Sequence, residues 1–243
     1  MKELIYSRNA VYEVLRAKRR QIFSIEIAEG VQEKGKIAEI IKLAQGQKIK
    51  LSRVPRPKLD KVHQNNQGIV AEVSGYPYSD VLYILENVKE EQPFILMLDS
   101  LQDPQNFGTL IRTAEALGVH GIVIPSARTV DVTPAVVNAS SGASEHMLIA
   151  QANLSQTIDA LKENNIWVVG LDQAGADASR EAGSRHLKGA LALVVGSEGE
   201  GLHDLVQKKC DIVLKLPMKG KIESLNAAVA GSVALYLAYL NRK

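Results

Sequence analysis

Leu214 to Ser232 reads LKLPMKGKIESLNAAVAGS. An apolar strand over Ile212–Leu216 stops at Pro217, which has no N–H to give a sheet ladder. A short polar loop containing Gly220 follows, and the pattern predicts a helix from Ser224 to about Leu240. The Ser224 hydroxyl is placed to cap it by accepting from a free amide of the first turn. Ala227, Ala228, Ala230, Gly231 and Ser232 are small enough to let another backbone approach. A strand end, a tight loop and a helix start together make the ligand-binding corner of an open α/β sheet.

A second loop of this kind lies just upstream. Leu191–Val195 (LALVV) has the continuous apolar character of a strand buried on both faces. It runs into Gly196-Ser197-Glu198-Gly199-Glu200-Gly201, spaced G-x-x-G-x-G. That is not the G-x-G-x-x-G of dinucleotide folds, and no Walker lysine follows. Two carboxylates in the loop would repel a pyrophosphate. They suit a ligand with positive charge and ribose hydroxyls, such as S-adenosylmethionine.

The 243-residue chain is long enough for one large or two small domains, each with its own core. A hydrophobic share of 46% and a charged share of 23% are ordinary for a globular chain. No apolar run approaches the roughly 18 residues of a membrane span, and the N-terminal MKELIYSRNAVYEVL lacks a signal peptide's apolar core. The single cysteine, Cys210, excludes an internal disulfide and fits a reducing compartment, so a cytoplasmic location is expected. The net charge of +2 hides an asymmetry: residues 1–73 hold 15 Lys/Arg against 8 Asp/Glu, the remainder 14 against 19. A basic front part on a near-neutral chain points to a polyanion partner, nucleic acid above all.

The spacing predicts a front α/β domain over 1–73. Its strands lie near Leu4–Tyr6, Phe23–Ile27, Lys48–Leu51 and Gly68–Val73, and its helices over Asn9–Ala17 and Lys34–Gln45. Arg16, Lys18, Arg19 and Arg20 cluster after the first helix; Arg53, Arg56, Lys58 and Lys61 cluster in a Pro-containing loop suited to a phosphate backbone. A linker is expected over 74–92 and a second domain over 93–243. That domain alternates strands (Phe94–Leu98, Gly121–Ile124, Ile166–Leu171, Leu191–Val195) with helices (Phe107–Leu117, Thr133–Ala139, Leu154–Asn164). Such alternation argues for a mostly parallel sheet covered on both faces.

Asn106 stands where a helix would be capped, and Arg112 lies further along the same helix. Each has an ordinary reading, as a cap and as an i+3 partner of Glu115. Glu198 has glycine neighbours that leave its carboxylate reachable, while Ser224 and Asn226 read equally well as helix-start residues. The five histidines show no metal-ligand spacing, and neither H-E-x-x-H nor G-x-S-x-G occurs. Cys210 reads as a buried structural thiol.

Three motifs in order change the weight of these residues: Asn106-Phe-Gly-x-x-x-Arg112-x-Ala114, Leu193-Val-Val-Gly196-Ser-Glu198-Gly-x-Gly201-Leu, and Leu216-Pro217-Met218 with Ser224-Leu225-Asn226. Over about residues 94–240 the chain resembles the SpoU/TrmH family of RNA ribose methyltransferases, within the SPOUT superfamily. The front part is similar to the small substrate-binding domain, of a ribosomal-protein type, that many members carry. Two departures stand out: Ala227-Ala228 where the family often has Val-Ser, and Ser7 where it usually has Gly.

The resemblance implies an α/β fold with a trefoil-knotted parallel-sheet domain, and a homodimer whose active site draws on both subunits. It implies methyl transfer from S-adenosylmethionine to a ribose 2′-hydroxyl of RNA, with a guanosine of 23S rRNA as target. It places Asn106, Arg112, Glu198, Ser224 and Asn226 at the catalytic centre. Gly196, Ser197, Gly201, Leu216, Met218 and Leu225 would hold the cofactor; no metal and no membrane are implied. A tRNA methylase, a drug-resistance rRNA methylase and a non-catalytic RNA-binding protein are the alternatives. A nicotinamide oxidoreductase is disfavoured by the glycine spacing.

Overall fold

Strands and helices alternate along nearly the whole chain. In a computed structural model, which describes residues 2–127, 129–178, 185–197, 199, 201–221 and 224–242, the strands are β1 (Lys2–Tyr6), β2 (Ile22–Ala28), β3 (Lys50–Val54), β4 (Ile69–Ser74), β5 (Phe94–Leu98), β6 (Gly121–Ile124), β7 (Ile149–Gln151), β8 (Trp167–Asp177), β9 (Leu191–Val195) and β10 (Ile212–Lys215). The helices are α1 (Arg8–Ala17), α2 (Lys36–Gly46), α3 (Arg56–Asp60), α4 (Val81–Glu86), α5 (Pro104–Ala116), α6 (Pro134–Ala139), α7 (Leu154–Glu163), α8 (Asp204–Lys209) and α9 (Ala227–Asn241). The chain divides into two compact units.

The first unit contains residues 1–77 and 131–146. Its sheet has the order β1-β4-β2-β3, with β4 antiparallel to both neighbours and β3 parallel to β2. Helix α1 buries Ala10, Val11, Val14 and Leu15, and α2 buries Ile37, Ile40 and Ala44. These are the one-sided stripes that helical spacing predicts. The loop expected around Arg53–Lys61 contains α3 instead, where Pro57 sits in the first turn and its missing N–H costs nothing.

Residues 131–146 fold with this front unit, although a cut at 74–92 would assign them to the second. Thr133 caps α6, and a 3₁₀ turn at Ala143–Glu145 follows. At Gly142 (φ 87°) a Cβ would stand 2.6 Å from the Glu13 Cβ, so close packing on α1 requires glycine there.

The second unit contains residues 78–130 and 147–243. Its six strands are all parallel, in the order β10-β8-β9-β5-β6-β7. Every residue of β5, β6 and β9 is buried, which is why these strands read as unbroken apolar runs. Helix α4, from the expected linker, belongs here; its Ile84 leaves no room for a side chain at Gly121.

Strand β8 runs six residues past its expected end at Leu171. Its pairing with β10 jumps from Gly170–Val213 to Ala176–Leu214, so residues 171–175 bulge out of the ladder. At Gly175 a Cβ would lie 2.6 Å from the backbone of Val213 and Leu214, so only glycine lets the strand return to its partner. The final helix, α9, packs on α5: a Cβ on Gly231 would stand only 2.7 Å from Leu110, and Thr113 and Ser232 share a hydrogen bond of 3.0 Å. Beyond its end, Arg242 donates to the carbonyl of Pro93 at the foot of β5.

Candidate active site

In the second unit, the direction of strand succession reverses beside β5: β6 and β7 lie to one side, β9 and β8 to the other. Ligands of open α/β sheets bind at the carboxyl ends of strands near such a reversal. An open cavity of about 1180 Å³ lies at the ends of β8, β9 and β10. Four pieces wall it: the β8 bulge, the glycine loop after β9, Lys215–Met218, and the segment from Ser224 to Ala230 that leads into α9.

The glycine loop is folded back on itself. Ser197 N–H donates to the Gly201 carbonyl at 3.0 Å, and Gly201 N–H returns to Ser197 at 3.2 Å. Gly199 (φ 88°) and Gly201 (φ 69°) supply the left-handed turns. A Cβ on Gly196 would lie 2.2 Å from the Gly201 carbonyl carbon, so the loop closes only around glycine. Both ends are anchored on buried Asp99. Its N–H donates to the Val195 carbonyl at 2.8 Å, and its Oδ2 accepts from the His203 N–H at 2.8 Å. Oδ1 lies 2.9 Å from His203 Nδ1. Asp99 is not among the residues that the sequence motifs pointed to.

Of the residues expected to hold a cofactor, Gly196, Ser197, Gly201, Leu216, Met218 and Leu225 all line this cavity. Ser224 and Asn226, expected at the catalytic centre, line it too. Asn106 is joined to them by a 3.1 Å hydrogen bond in which Asn226 Nδ2 donates to Asn106 Oδ1. Arg112 is exposed on α5 and is not among the lining residues. Glu198 lies outside the described residues.

Two capping expectations are corrected. Ser224 does not begin the last helix. Asn226 does, accepting from the amides of Ala228 at 3.0 Å and Val229 at 3.2 Å. Asn106 does not cap α5 either; Asp103 does, accepting from the Asn106 N–H at 3.0 Å, with Pro104 following as the first helical residue. Because Asp103 takes the cap, the Asn106 amide is available to meet Asn226.

Asp172, Gln173, Gly175, Asp177 and Lys215 also line the cavity, and sequence reading did not single them out. Their only signal was the break in apolar character after Leu171, taken there as the strand's end. Among the described residues no group of three or more His, Cys, Asp or Glu side chains is arranged to hold a metal ion. Among them, too, no helix is long and apolar enough to cross a membrane.

The sequence profile of the SpoU rRNA Methylase family matches residues 93–236. The chain belongs to this family. Residues 4–79 match a second profile, described as RNA 2′-O ribose methyltransferase substrate binding. YacO of Bacillus subtilis (strain 168), which carries the name of a TrmH family tRNA/rRNA methyltransferase, is 45% identical over 99% of this chain and 96% of its own length. Among solved structures, the SpoU methyltransferase AviRb from Streptomyces viridochromogenes, in complex with the cofactor AdoMet, superposes with a TM-score of 0.78. It is 21% identical, over 98% of this chain and 90% of that one. An AdoMet-bound rRNA methyltransferase from Sinorhizobium meliloti superposes equally well, TM-score 0.78 at 23% identity, over 98% and 86% of the two chains. These superpositions extend the family's fold over both units of the chain.

Proposed function

We propose that this SpoU family protein transfers a methyl group from S-adenosylmethionine to a ribose 2′-hydroxyl of RNA, a guanosine of 23S rRNA being the first target to test. The observation that carries the reading is the meeting at one cavity of Gly196, Ser197, Gly199 and Gly201 with Leu216–Met218 and Ser224–Asn226, Asn106 of the first motif being bonded to Asn226. The cavity fits the cofactor. Gly196 and Gly201 bring bare backbone to its wall, Leu216, Pro217, Met218 and Leu225 offer apolar surface for an adenine, and Asp172 and Asp177 offer acceptors. Its volume exceeds the roughly 300–1,000 Å³ of ordinary small-molecule sites, leaving room for a nucleoside as well.

When bound, S-adenosylmethionine supplies a methyl group already activated by its sulfonium. The protein's part is to align a ribose hydroxyl and manage its proton, and positioning alone can contribute roughly 7–11 kcal/mol. Asn226, locked by its cap bonds and by Asn106, is a fixed polar group for orienting the nucleoside. Ser224, exposed at the cavity wall, can relay the proton. Arg112 is too weak an acid to serve as base at neutral pH. We assign it instead to clamping an RNA phosphate and stabilising the developing alkoxide. Ser197 lines the glycine-loop side, and Glu198, outside the described residues, stays a catalytic candidate on the family resemblance alone.

We further propose a homodimer. Val229, Val233, Tyr236 and Leu240 are 48%, 42%, 53% and 48% exposed. Their 4-3-4 spacing makes one continuous apolar stripe on α9. A second copy covering it would bring Arg112, next to Thr113 on the helix that α9 packs against, toward its partner's cavity. The trefoil threading belongs to the same proposal, supported by the return of α9 onto α5 from the cavity's rim. A cytoplasmic location is supported by the lone, unpaired Cys210.

The test is to incubate the protein with labelled methyl donor and total RNA from a strain lacking it, then map the label. Label on a 23S rRNA guanosine 2′-oxygen is expected. Label on tRNA would favour the second reading, which the tRNA/rRNA name of YacO motivates. An absence of ribose label in any RNA would overturn the proposal. Arg112→Lys, which keeps charge but loses the two-pronged fork, is expected to lower turnover strongly.

A further inference from the structure

Asp172 stands in the β8 bulge, half-exposed on the cavity wall. Its Oδ1 accepts a hydrogen bond from the Ala174 N–H at 3.0 Å, which fixes the side chain. Its Oδ2 faces the glycine loop: a Cβ on Gly201 would stand only 2.5 Å from it. Among the described residues none donates to Oδ2. Lys215, the single cation among the described lining residues, is the register neighbour of Asp177 on β10 rather than of Asp172. A carboxylate with one oxygen held by backbone and the other open toward a cavity is a preset acceptor for an O–H or N–H donor.

We infer that Asp172 is a cofactor-binding residue, its Oδ2 accepting a hydrogen bond from a ribose hydroxyl or the ammonium group of the bound adenosyl cofactor. Gly201 is then glycine for two reasons: its positive φ, and the space the carboxylate needs beside it. The β8 bulge acquires a purpose, since it carries this acceptor out of the ladder and into the wall. The inference rests on the reading of the cavity as an adenosyl site.

Calorimetry on the full chain tests it, with S-adenosylhomocysteine and 5′-methylthioadenosine titrated into wild type and Asp172→Asn. The asparagine keeps an acceptor for Ala174 and replaces the open oxygen by a donor. For a charge-assisted bond, roughly ten-fold to hundred-fold weaker binding of S-adenosylhomocysteine is expected, with an unchanged melting temperature. Weakening of both ligands identifies the ribose as donor. Weakening of S-adenosylhomocysteine alone identifies the ammonium, which methylthioadenosine lacks. Either supports the inference, whereas affinities within two-fold of wild type for both ligands overturn it. If wild type binds neither ligand, the adenosyl reading of the cavity falls and this inference with it. Should Asp172→Asn fail to fold, Asp172→Ser, which retains a short acceptor for Ala174, is titrated in the same way.

Discussion

Arg20 in the front unit and Asp172 in the second house their charges in opposite ways. The Arg20 side chain is wholly buried, yet Nη1 donates to Glu3 Oε2 at 2.6 Å and Nε to Glu145 Oε2 at 3.0 Å. Its Nη2 lies 3.0 Å from Glu145 Oε1, an ion pair whose angle falls short of a hydrogen bond. The Tyr76 ring lies 5.0 Å from the guanidinium carbon, and its hydroxyl donates to the Ser144 carbonyl. Burial raises the Glu145 carboxyl above its ordinary range, against the pull of Arg20. Asp172, by contrast, remains in reach of water with one oxygen uncommitted. A buried ion pair adds little net stability but makes loss of either member costly. Arg20–Glu145 is thus a tie that holds residues 131–146 in the front unit. An acceptor left open in water costs little and stays available to a ligand.

That contrast can be broken most directly at Arg20. Arg20→Ala should lower the unfolding free energy by about 3–5 kcal/mol, because it leaves Glu145 buried without its cation. Urea denaturation measures this, and a loss below about 1 kcal/mol would show that the tie is dispensable. In the second unit the signature should reverse. Gly196→Ala forces the glycine loop open and should weaken adenosyl-ligand binding by at least about ten-fold in calorimetry, while unfolding shifts by only about 1 kcal/mol.

Smaller effects sharpen the comparison further. Ser7, buried at φ 78° and ψ 150°, occupies a region that only glycine visits without strain. Ser7→Gly should therefore stabilise the front unit by about 0.5–1.5 kcal/mol in the same denaturation assay. The smallest expected signal is at Cys210, whose thiol is pushed up to about 11 by burial and then by Asp211. At pH 8 only about one molecule in a thousand would carry the thiolate. A thiol reagent should thus leave the folded protein nearly untouched and react promptly once urea unfolds it.

Legibility followed the range of the interactions involved. β6 and β9 were placed to the residue, because a strand buried on both faces announces itself by composition. The stripes of α1 and α2 were visible for the same reason. Caps were not: Asn106 and Ser224 have the chemistry of caps, but Asp103-Pro104 and Asn226 won those places by backbone geometry. Nor was the β8 bulge, since the apolar run ceases at Leu171 whether a strand ends or detours. Asp99 carried no signal of its own, because its partners Val195 and His203 lie about a hundred residues further along.

By itself the sequence determined the α/β class, the basic front part and the three motifs of the methylase domain, because burial periodicity and short-range spacing are written locally. Tertiary structure alone decided that residues 131–146 belong with the front unit, that Asn106 meets Asn226, and that Asp172 reaches the cavity wall. Each of those outcomes depends on groups distant in the chain finding one another, and a one-dimensional pattern does not record which of many compatible partners close packing will select.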